Sequence, residues 1–194
     1  MNDMLIVDLL VIGGGTAGLA AASEALDLLD RVGGKRVALV EREAELGGEC
    51  AHYACVPTKV LLTGAHMAKR AKNRMPHYGF ELVDYHMNYG ALCRKVERTI
   101  HDGGYDFVKD PRLVRLQGEA RFVDARTVAV GKRRIQARSV VVATGRGPAV
   151  PPIQGLDAVG YMTYRQASRL DALPSSLIVL GGGPVGVEYA QAFQ

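Results

Sequence analysis

The sequence has 194 residues, 48% of them hydrophobic, with 24 Lys and Arg against 20 Asp and Glu. Such a chain can bury a core without disulfide bonds, and its small, dispersed net charge of +4 gives no reason to expect nucleic acid binding. Three cysteines exclude a disulfide scaffold, and the sequence contains neither a zinc-type ligand spacing nor an apolar run long enough for a membrane span. We therefore expect a cytoplasmic protein, in a reducing compartment where a cysteine pair is more often catalytic than structural.

The N-terminal elements predict a βαβ unit. Residues 5 to 12 (LIVDLLVI) form an apolar run typical of a buried parallel strand. A glycine turn and an alanine-rich helix follow, and Gly33 and Gly34 end that helix. KRVALVE, residues 35 to 41, predicts the second strand. The order strand, helix, strand indicates an α/β fold with a central parallel sheet.

The glycine turn matches the pattern G-x-G-x-x-G at Gly13, Gly15 and Gly18. Glycines at this spacing permit a tight turn and a close approach of the backbone to a pyrophosphate, which lies at the N-terminus of the helix. Glu41 comes 23 residues after Gly18, at the end of the second strand, where a carboxylate can accept hydrogen bonds from a ribose. The combination predicts dinucleotide binding. The alternative is a glycine turn that serves packing alone.

The segment GGECAHYACVPTK, residues 47 to 59, places Cys50 and Cys55 five positions apart. In a regular helix this spacing separates the Cα atoms by about 7.5 Å, beyond the limit of about 7 Å for a disulfide. A bridge between the two therefore requires a turn or a broken helix. A thiolate near a helix N-terminus and a lysine has a lowered pKa, which favours a reactive sulfur. Two reduced cysteines packed in a core are the alternative.

The middle of the chain predicts two helices and several short strands. The strands within residues 112 to 122 and 126 to 130 alternate apolar and polar residues, which is typical of a small antiparallel element, whereas the strand within 139 to 146 is apolar. The predicted helices cover residues 58 to 73 and 89 to 100, and the predicted strands lie in 112 to 122, 126 to 130 and 139 to 146. The last strand ends in ATG, small residues that let backbone approach a ligand.

A second glycine pattern follows a proline-rich stretch, residues 148 to 155, that we interpret as a linker. Residues 175 to 190 predict a strand over 177 to 180, a glycine turn and a helix, with the pattern glycines at Gly181, Gly183 and Gly186. Two such patterns imply two dinucleotides. A βαβ unit needs roughly 30 residues, and only about half of that number follow the start of this strand. We therefore expect residues 151–194 to contain only the first part of a second βαβ unit.

These motifs together resemble a known family. The first glycine pattern with its glutamate, the GGxCxxxxCxPxK segment, the ATG strand end and the second pattern GxGxxG-x-E resemble the FAD-dependent pyridine nucleotide-disulfide oxidoreductases of the lipoamide dehydrogenase, glutathione reductase and mercuric reductase type. The resemblance implies a Rossmann-like FAD-binding domain over residues 1–150 and the start of a Rossmann-like NAD(P)-binding domain over residues 151–194. It also implies a lasting FAD, NAD(P)H as a transient substrate, a small-molecule or protein-bound disulfide as acceptor, and a homodimer.

The resemblance also assigns roles. Cys55 would face the flavin as the charge-transfer thiolate, and Cys50 would be the thiol that attacks a substrate disulfide. Lys59 and Glu188 would pair where hydride reaches the flavin, and Glu41 would hold the FAD ribose. The cofactor-binding positions that it implies are Gly13, Gly15, Thr16, Ala17, Gly18, Glu41, Gly48, Lys59, Ala120, Thr144 and Gly145 for FAD, and Gly181, Gly183 and Gly186 for NAD(P)H. No residue is assigned to a metal.

Three residues depart from the family pattern beside the cysteines. Glu49 stands where the family usually has threonine, and His52 and Ala54 stand where asparagine and glycine are common. We expect an enzyme most like dihydrolipoamide dehydrogenase. A mercuric-reductase-like enzyme, and from a different class a truncated, non-catalytic FAD-binding module, are the alternatives. In the family a C-terminal domain supplies a His-Glu pair for thiol exchange, so we expect residues 1–194 alone to be inactive.

Overall fold

The computed structural model describes residues 4–33, 36–81, 86–102 and 105–194. The chain divides into two compact units, one comprising Met1–Gly48 and Gly104–Gly147 and the other comprising Glu49–Gly103 and Pro148–Gln194. The described part of the first unit contains the sheet, and that of the second is built from helices. The assignment of FAD binding to residues 1–150 and of NAD(P) binding to residues 151–194 remains a prediction.

The first unit is built on a six-stranded sheet. The strands are β1 Met4–Ile12, β2 Val37–Glu41, β3 Leu113–Gln117, β4 Ala120–Phe122, β5 Thr127–Val130 and β6 Arg133–Val142. Their order is β3-β2-β1-β6-β5-β4. Pairing is parallel from β3 through β6 and antiparallel from β6 through β4. This arrangement confirms the predicted α/β class, with its central parallel sheet and small antiparallel element.

Both faces of the sheet carry core residues because the central strands are apolar on both sides. Leu10 and Ile12 on β1 share one core with Val40 on β2 and Ile135 on β6. Val11 points to the opposite face, as alternation along a strand requires, where helix α1 covers it. That helix, Thr16–Val32, contributes four buried residues at helical spacing, which are Leu19, Ala22, Leu26 and Leu29. Gly33 ends it in the left-handed conformation, as predicted.

The second unit packs three longer helices around a small core. Its helices are α2 Gly48–His52, which begins on the last residue of the first unit, α3 Cys55–Asn73, α4 Tyr89–Asp102, α5 Leu156–Val159, α6 Tyr164–Ala167 and α7 Pro184–Phe193. Leu61, Val96 and Tyr189 form the centre of the core, one residue from each of α3, α4 and α7. Gly64 permits a close approach of α3 to α4, since a Cβ there would lie 2.8 Å from the Leu92 side chain. None of the helices in the described ranges is long and apolar enough to cross a membrane.

The strand predicted over residues 177 to 180 is not formed. No described strand pairs with this segment, and without a partner an apolar run has no ladder of hydrogen bonds to join. Three of its four side chains are exposed, among them Ile178 by 86% and Leu180 by 51%. Gly34 and Lys35, which the sequence places at the α1–β2 connection, lie outside the described residues.

Candidate functional site

The first glycine turn joins β1 to α1 with no space for side chains. Gly13 has a φ of 109°, and a Cβ there would collide with the carbonyl of Ala143, the residue after β6. A Cβ at Gly18 would collide with the carbonyl oxygen of Gly13. The pattern glycines at these two positions are therefore required by close packing of backbone against backbone.

The N-terminus of α1 presents backbone N–H groups without a side-chain cap. Gly15 is the N-cap residue and makes no side-chain hydrogen bond there, and Thr16 and Ala17 begin the helix. A Cβ at Gly15 would meet only the Cα of Gly48, at 3.8 Å. First-turn amides at the positive end of a helix dipole suit an anion. These residues therefore fit a dinucleotide pyrophosphate.

Glu41 stands at the end of β2 beside the same turn. Its Oε2 accepts the N–H of Gly14 at 2.5 Å, and its Oε1 accepts the N–H of Glu43 at 2.9 Å. A carboxylate has about four acceptor positions, so two bonds leave capacity for ribose hydroxyls. The sequence predicted the ribose role, which remains a prediction, but it did not indicate that Glu41 also fixes the turn through Gly14.

The remaining FAD positions implied by the resemblance lie on two segments. Thr144 and Gly145 follow β6, close to Gly13, and Gly145 has a φ of 64°. Ala120 begins β4, two residues after Gly118, whose N–H donates to the Glu41 carbonyl at 2.8 Å. The fold of the first unit thus brings the ATG segment to the first glycine and the Ala120 segment to Glu41.

Cys50 and Cys55 form a disulfide across a broken helix. Their Cα atoms are 4.7 Å apart, within the range that a disulfide spans. The break lies between α2, which ends at His52, and α3, which begins at Cys55; Ala54 has φ −116° and ψ −92°, outside the helical region. This confirms that a bridge at this spacing needs distorted backbone. Cys55 is exposed and occupies the first residue of a 19-residue helix.

Lys59 and Glu188 form an ion pair, and the role beside a flavin that the resemblance implies for them stays a prediction. The Lys59 Nζ donates to Glu188 Oε1 at 2.5 Å, and the Thr58 hydroxyl lies 2.5 Å from Glu188 Oε2. Hydrogen bonds from Lys59 and then from Thr58 hold the pKa of Glu188 below its ordinary value. Thr58 is fully buried and also contacts the Ala54 carbonyl at 2.8 Å. Thr58 was not identified as a site residue from the sequence. The only feature that could have indicated its role is its position between Pro57 and Lys59.

Charged and aromatic side chains surround the loop between the cysteines. Arg165 binds both carboxylate oxygens of Glu49, with its Nε 3.2 Å from Oε2 and its Nη2 on Oε1. The guanidinium groups of Arg165 and Arg169 lie 5.3 and 5.1 Å from the centroid of the Tyr53 ring. Tyr189 donates its hydroxyl to the Tyr53 carbonyl at 3.1 Å, and burial raises the pKa of Tyr189 to about 12. Sequence reasoning missed these contacts, because every one of them joins positions more than 100 residues apart in the chain.

The second glycine turn repeats the local geometry of the first. Gly181 has a φ of 116°, and a Cβ at Gly186 would lie 2.6 Å from the Gly181 carbonyl oxygen. Gly183 is the N-cap of α7, with φ −73° and ψ 168°, against φ −78° and ψ −176° at Gly15. Like the first turn, it leads into a helix that has no side-chain cap. The second turn is thus suited to a phosphate in the same way.

No group of three or more His, Cys, Asp or Glu side chains among the described residues is placed to hold a metal ion. The chemistry available in these residues is a dithiol-disulfide pair, a lysine-glutamate pair and two nucleotide-type glycine turns. These are the parts of a nicotinamide-linked disulfide oxidoreductase.

Comparison with known proteins agrees with these parts. Residues 7–194 match the family described as pyridine nucleotide-disulphide oxidoreductase, and the chain belongs to that family. It is 34% identical to a mercuric reductase of Acidithiobacillus ferrooxidans, over 99% of this chain and 36% of that protein. It is 32% identical to a dihydrolipoamide dehydrogenase of Chaetomium thermophilum, over 96% of this chain and 38% of that protein.

A solved structure is similar over the whole chain. It is the Cu(II) complex of the HOCl-induced flavoprotein disulfide reductase RclA from Escherichia coli, with a TM-score of 0.73 and 26% identity over 100% of this chain and 40% of that one. The likeness confirms the predicted fold class. The chain spans little more than a third of the length of the curated relatives it matches.

Proposed function

We propose that this chain carries the dithiol centre and both nucleotide-binding turns of an FAD-dependent, NAD(P)H-linked disulfide oxidoreductase. The observation that carries the proposal is the Cys50–Cys55 disulfide at a helix break, in a chain whose glycine turns both lead into helices without side-chain caps. FAD, when bound, accepts hydride from NAD(P)H and supplies an electron pair to a disulfide.

The first unit would hold the FAD. The amides at Gly15, Thr16 and Ala17 would bind the pyrophosphate, and Glu41 would bind the ribose through its remaining acceptor positions. The amide N–H of Gly14 keeps the Glu41 carboxylate beside this turn. The turn at Gly181 to Gly186 would bind NAD(P)H in the same manner.

The reduced cysteines would pass electrons on by thiol exchange. The Cys50 thiolate attacks an acceptor disulfide, a mixed disulfide forms, and one acceptor thiolate leaves. The Cys55 thiolate then attacks the Cys50 sulfur, which releases the second acceptor thiolate and restores the Cys50–Cys55 disulfide. The α3 N-terminus stabilises negative charge on Cys55, since this residue opens the helix.

Lys59 and Glu188 would keep a fixed charge near the redox centre. Glu188 holds the Lys59 ammonium, and buried Thr58 holds the other carboxylate oxygen. The glutamate therefore presents the cation in one orientation while remaining ionised itself. The resemblance implies that this pair lies where hydride reaches the flavin.

The acceptor that the sequence predicts is a disulfide of the dihydrolipoamide dehydrogenase type. Mercuric ion is the alternative, because relatives named as mercuric reductases from Acidithiobacillus ferrooxidans and Staphylococcus aureus are 34% and 33% identical to the chain. Two thiolates whose Cα atoms lie 4.7 Å apart suit either chemistry. A homodimer is also part of the proposal.

The test uses the full gene product with bound flavin. NADH and NADPH are supplied in turn, and reduction of lipoamide, glutathione disulfide and Hg(II) is followed by nucleotide oxidation. Cys50→Ser and Cys55→Ser should abolish turnover. Cys93→Ser should retain it, since Cys93 is a free thiol on α4. Turnover that survives both Cys50→Ser and Cys55→Ser would refute the dithiol role, and flavin binding without reduction of any acceptor would favour a non-catalytic module.

A further inference from the structure

One arginine contacts the cysteine segment at two points, one before Cys50 and one between Cys50 and Cys55. Arg165 forms a two-pronged ion pair with Glu49, the residue before Cys50. The same guanidinium lies over the ring of Tyr53, which is between Cys50 and Cys55. We call the contacts of Arg165 with Glu49 and Tyr53 the arginine clamp. The clamp therefore connects both sides of Cys50 to a segment more than 100 positions away in sequence.

Arg165 is itself fixed by local structure. It lies in α6, where the Thr163 side chain accepts the Arg165 N–H at 3.3 Å and the Gln166 side chain accepts the Thr163 N–H at 2.9 Å. This capping box sets the direction of the short helix. The hydrogen bond from Arg165 to Glu49 raises the pKa of Arg165. The clamp is part of a small network.

The main chain of the loop depends on Glu49 as well. The Glu49 carbonyl accepts the N–H of Tyr53 at 3.0 Å and that of Ala54 at 2.8 Å, across the helix break. Anchoring the Glu49 side chain therefore also anchors the turn that brings Cys50 toward Cys55. Reduction of the disulfide removes the covalent tie, and the clamp then remains beside the Tyr189 and Arg169 contacts of Tyr53 to limit how far the loop relaxes.

We propose that Arg165 is a positioning residue that keeps the reduced cysteines preorganised for closing the disulfide, an inference that rests on the proposed function of the pair. Two thiols held close form a disulfide more readily than two thiols on a relaxed loop, because less conformational freedom is lost on closure. Partly exposed ion pairs and cation–π contacts are individually modest, so the clamp should bias the equilibrium by about three- to tenfold.

The measurement is the thiol–disulfide equilibrium of the full gene product in glutathione buffers. The disulfide and two molecules of glutathione yield the Cys50 and Cys55 thiols and one glutathione disulfide, and the two forms are quantified by alkylation and mass spectrometry of the cysteine peptides. Arg165→Gln should shift the equilibrium about three- to tenfold toward the dithiol. Arg98→Gln removes an exposed arginine of α4 and should cause no shift.

A mutant cycle tests whether Arg165 acts through Glu49. Glu49→Gln alone should shift the equilibrium in the same direction, and the double variant should shift it by less than the sum of the two single changes, since both remove one interaction. Arg165→Lys keeps the charge without the two-pronged contact and should give a smaller shift in the same direction. It also provides a milder change if Arg165→Gln lowers the yield of folded protein.

An equilibrium constant for Arg165→Gln and Arg165→Lys equal to that of wild type would overturn the positioning role. So would full additivity of Glu49→Gln and Arg165→Gln. Glutathione equilibration needs neither nicotinamide nor turnover, so it separates the two proposals. A wild type that equilibrates normally but accepts no electrons from NAD(P)H would overturn the proposed function alone.

Discussion

The Thr58 hydroxyl oxygen lies 2.5 Å from Glu188 Oε2, a contact between residues 130 positions apart in the chain. Thr58 is fully buried on α3, and Glu188 lies on α7. Lys59, next to Thr58, holds the other oxygen of the same carboxylate. One turn of α3 therefore fixes both oxygens of Glu188, which sets the orientation of the lysine-glutamate pair.

Replacing Thr58 with valine keeps the shape of the side chain and removes its hydroxyl. We expect Thr58→Val to lower the free energy of unfolding by about 0.5–1.5 kcal/mol, because the single hydroxyl proton, which can donate to Glu188 Oε2 or to the Ala54 carbonyl, is lost. Urea denaturation of the full gene product measures the change. Thr58→Ser retains the hydroxyl and is the control. Equal stabilities for Thr58→Val and Thr58→Ser would contradict the contribution of the hydrogen bond.

Acid should weaken the contribution of Glu188. Lys59 and Thr58 hold the pKa of Glu188 below its ordinary value of 4.5. The ionised carboxylate is therefore more stable in the folded state than in the unfolded state. The stabilisation is therefore fully present above pH 4.5 and is lost as the pH falls through the lowered pKa. Denaturation at a series of pH values should show the difference between wild type and Glu188→Gln shrinking toward acid pH. Glu97→Gln, at an exposed position of α4, controls for removal of a carboxylate, and a difference independent of pH would contradict the assignment.

Local spacing was enough to predict the parts of this molecule that short segments determine. The βαβ opening, the glycine turn and the break between Cys50 and Cys55 each follow from residues a few positions apart. The separation of five residues alone required broken backbone for a bridge, and the helix break between His52 and Cys55 supplies it. Such features are decided by steric limits on the chain.

Features that depend on distant partners were either not predicted from the sequence or predicted wrongly. The pairing of Arg165 with Glu49 and of Thr58 with Glu188 joins segments whose proximity only the fold creates. Residues 177 to 180 have a strand-like composition, but a strand needs a neighbour, and none of the described strands pairs with them. Propensity alone does not determine such outcomes, because the free energy lies in the contact with the partner.

The two cysteines should be distinguishable by absorbance. The resemblance places Cys55 beside the flavin, so the thiolate left after reduction by dithionite or NAD(P)H should produce a long-wavelength absorption band in the flavin-loaded full gene product. Cys50→Ser should show the band without reductant, because Cys55 then has no disulfide partner. Cys55→Ser should show none. A band that persists in Cys55→Ser would mean that the roles are exchanged or that the pair is not redox active.

One substitution in each glycine turn should distinguish the nucleotide that the first turn binds from the nucleotide that the second turn binds. Gly18→Ala places a Cβ on the Gly13 carbonyl oxygen, and Gly186→Ala does the same to the Gly181 carbonyl oxygen. The obstacle in each case is backbone, which does not move aside as a flexible side chain would, so each change should destabilise its turn by about 1–3 kcal/mol.

The two variants should nevertheless lose different nucleotides. Gly18→Ala should release flavin on gel filtration, since the first turn is the proposed FAD site. Gly186→Ala should retain flavin that dithionite still reduces, while NADH and NADPH no longer reduce it. Gly90→Ala, on α4 where a Cβ makes only ordinary contacts of 3.5 Å, controls for the substitution itself. If Gly186→Ala lost its flavin and Gly18→Ala kept it, the assignment of FAD to the first turn and of NAD(P)H to the second would be reversed.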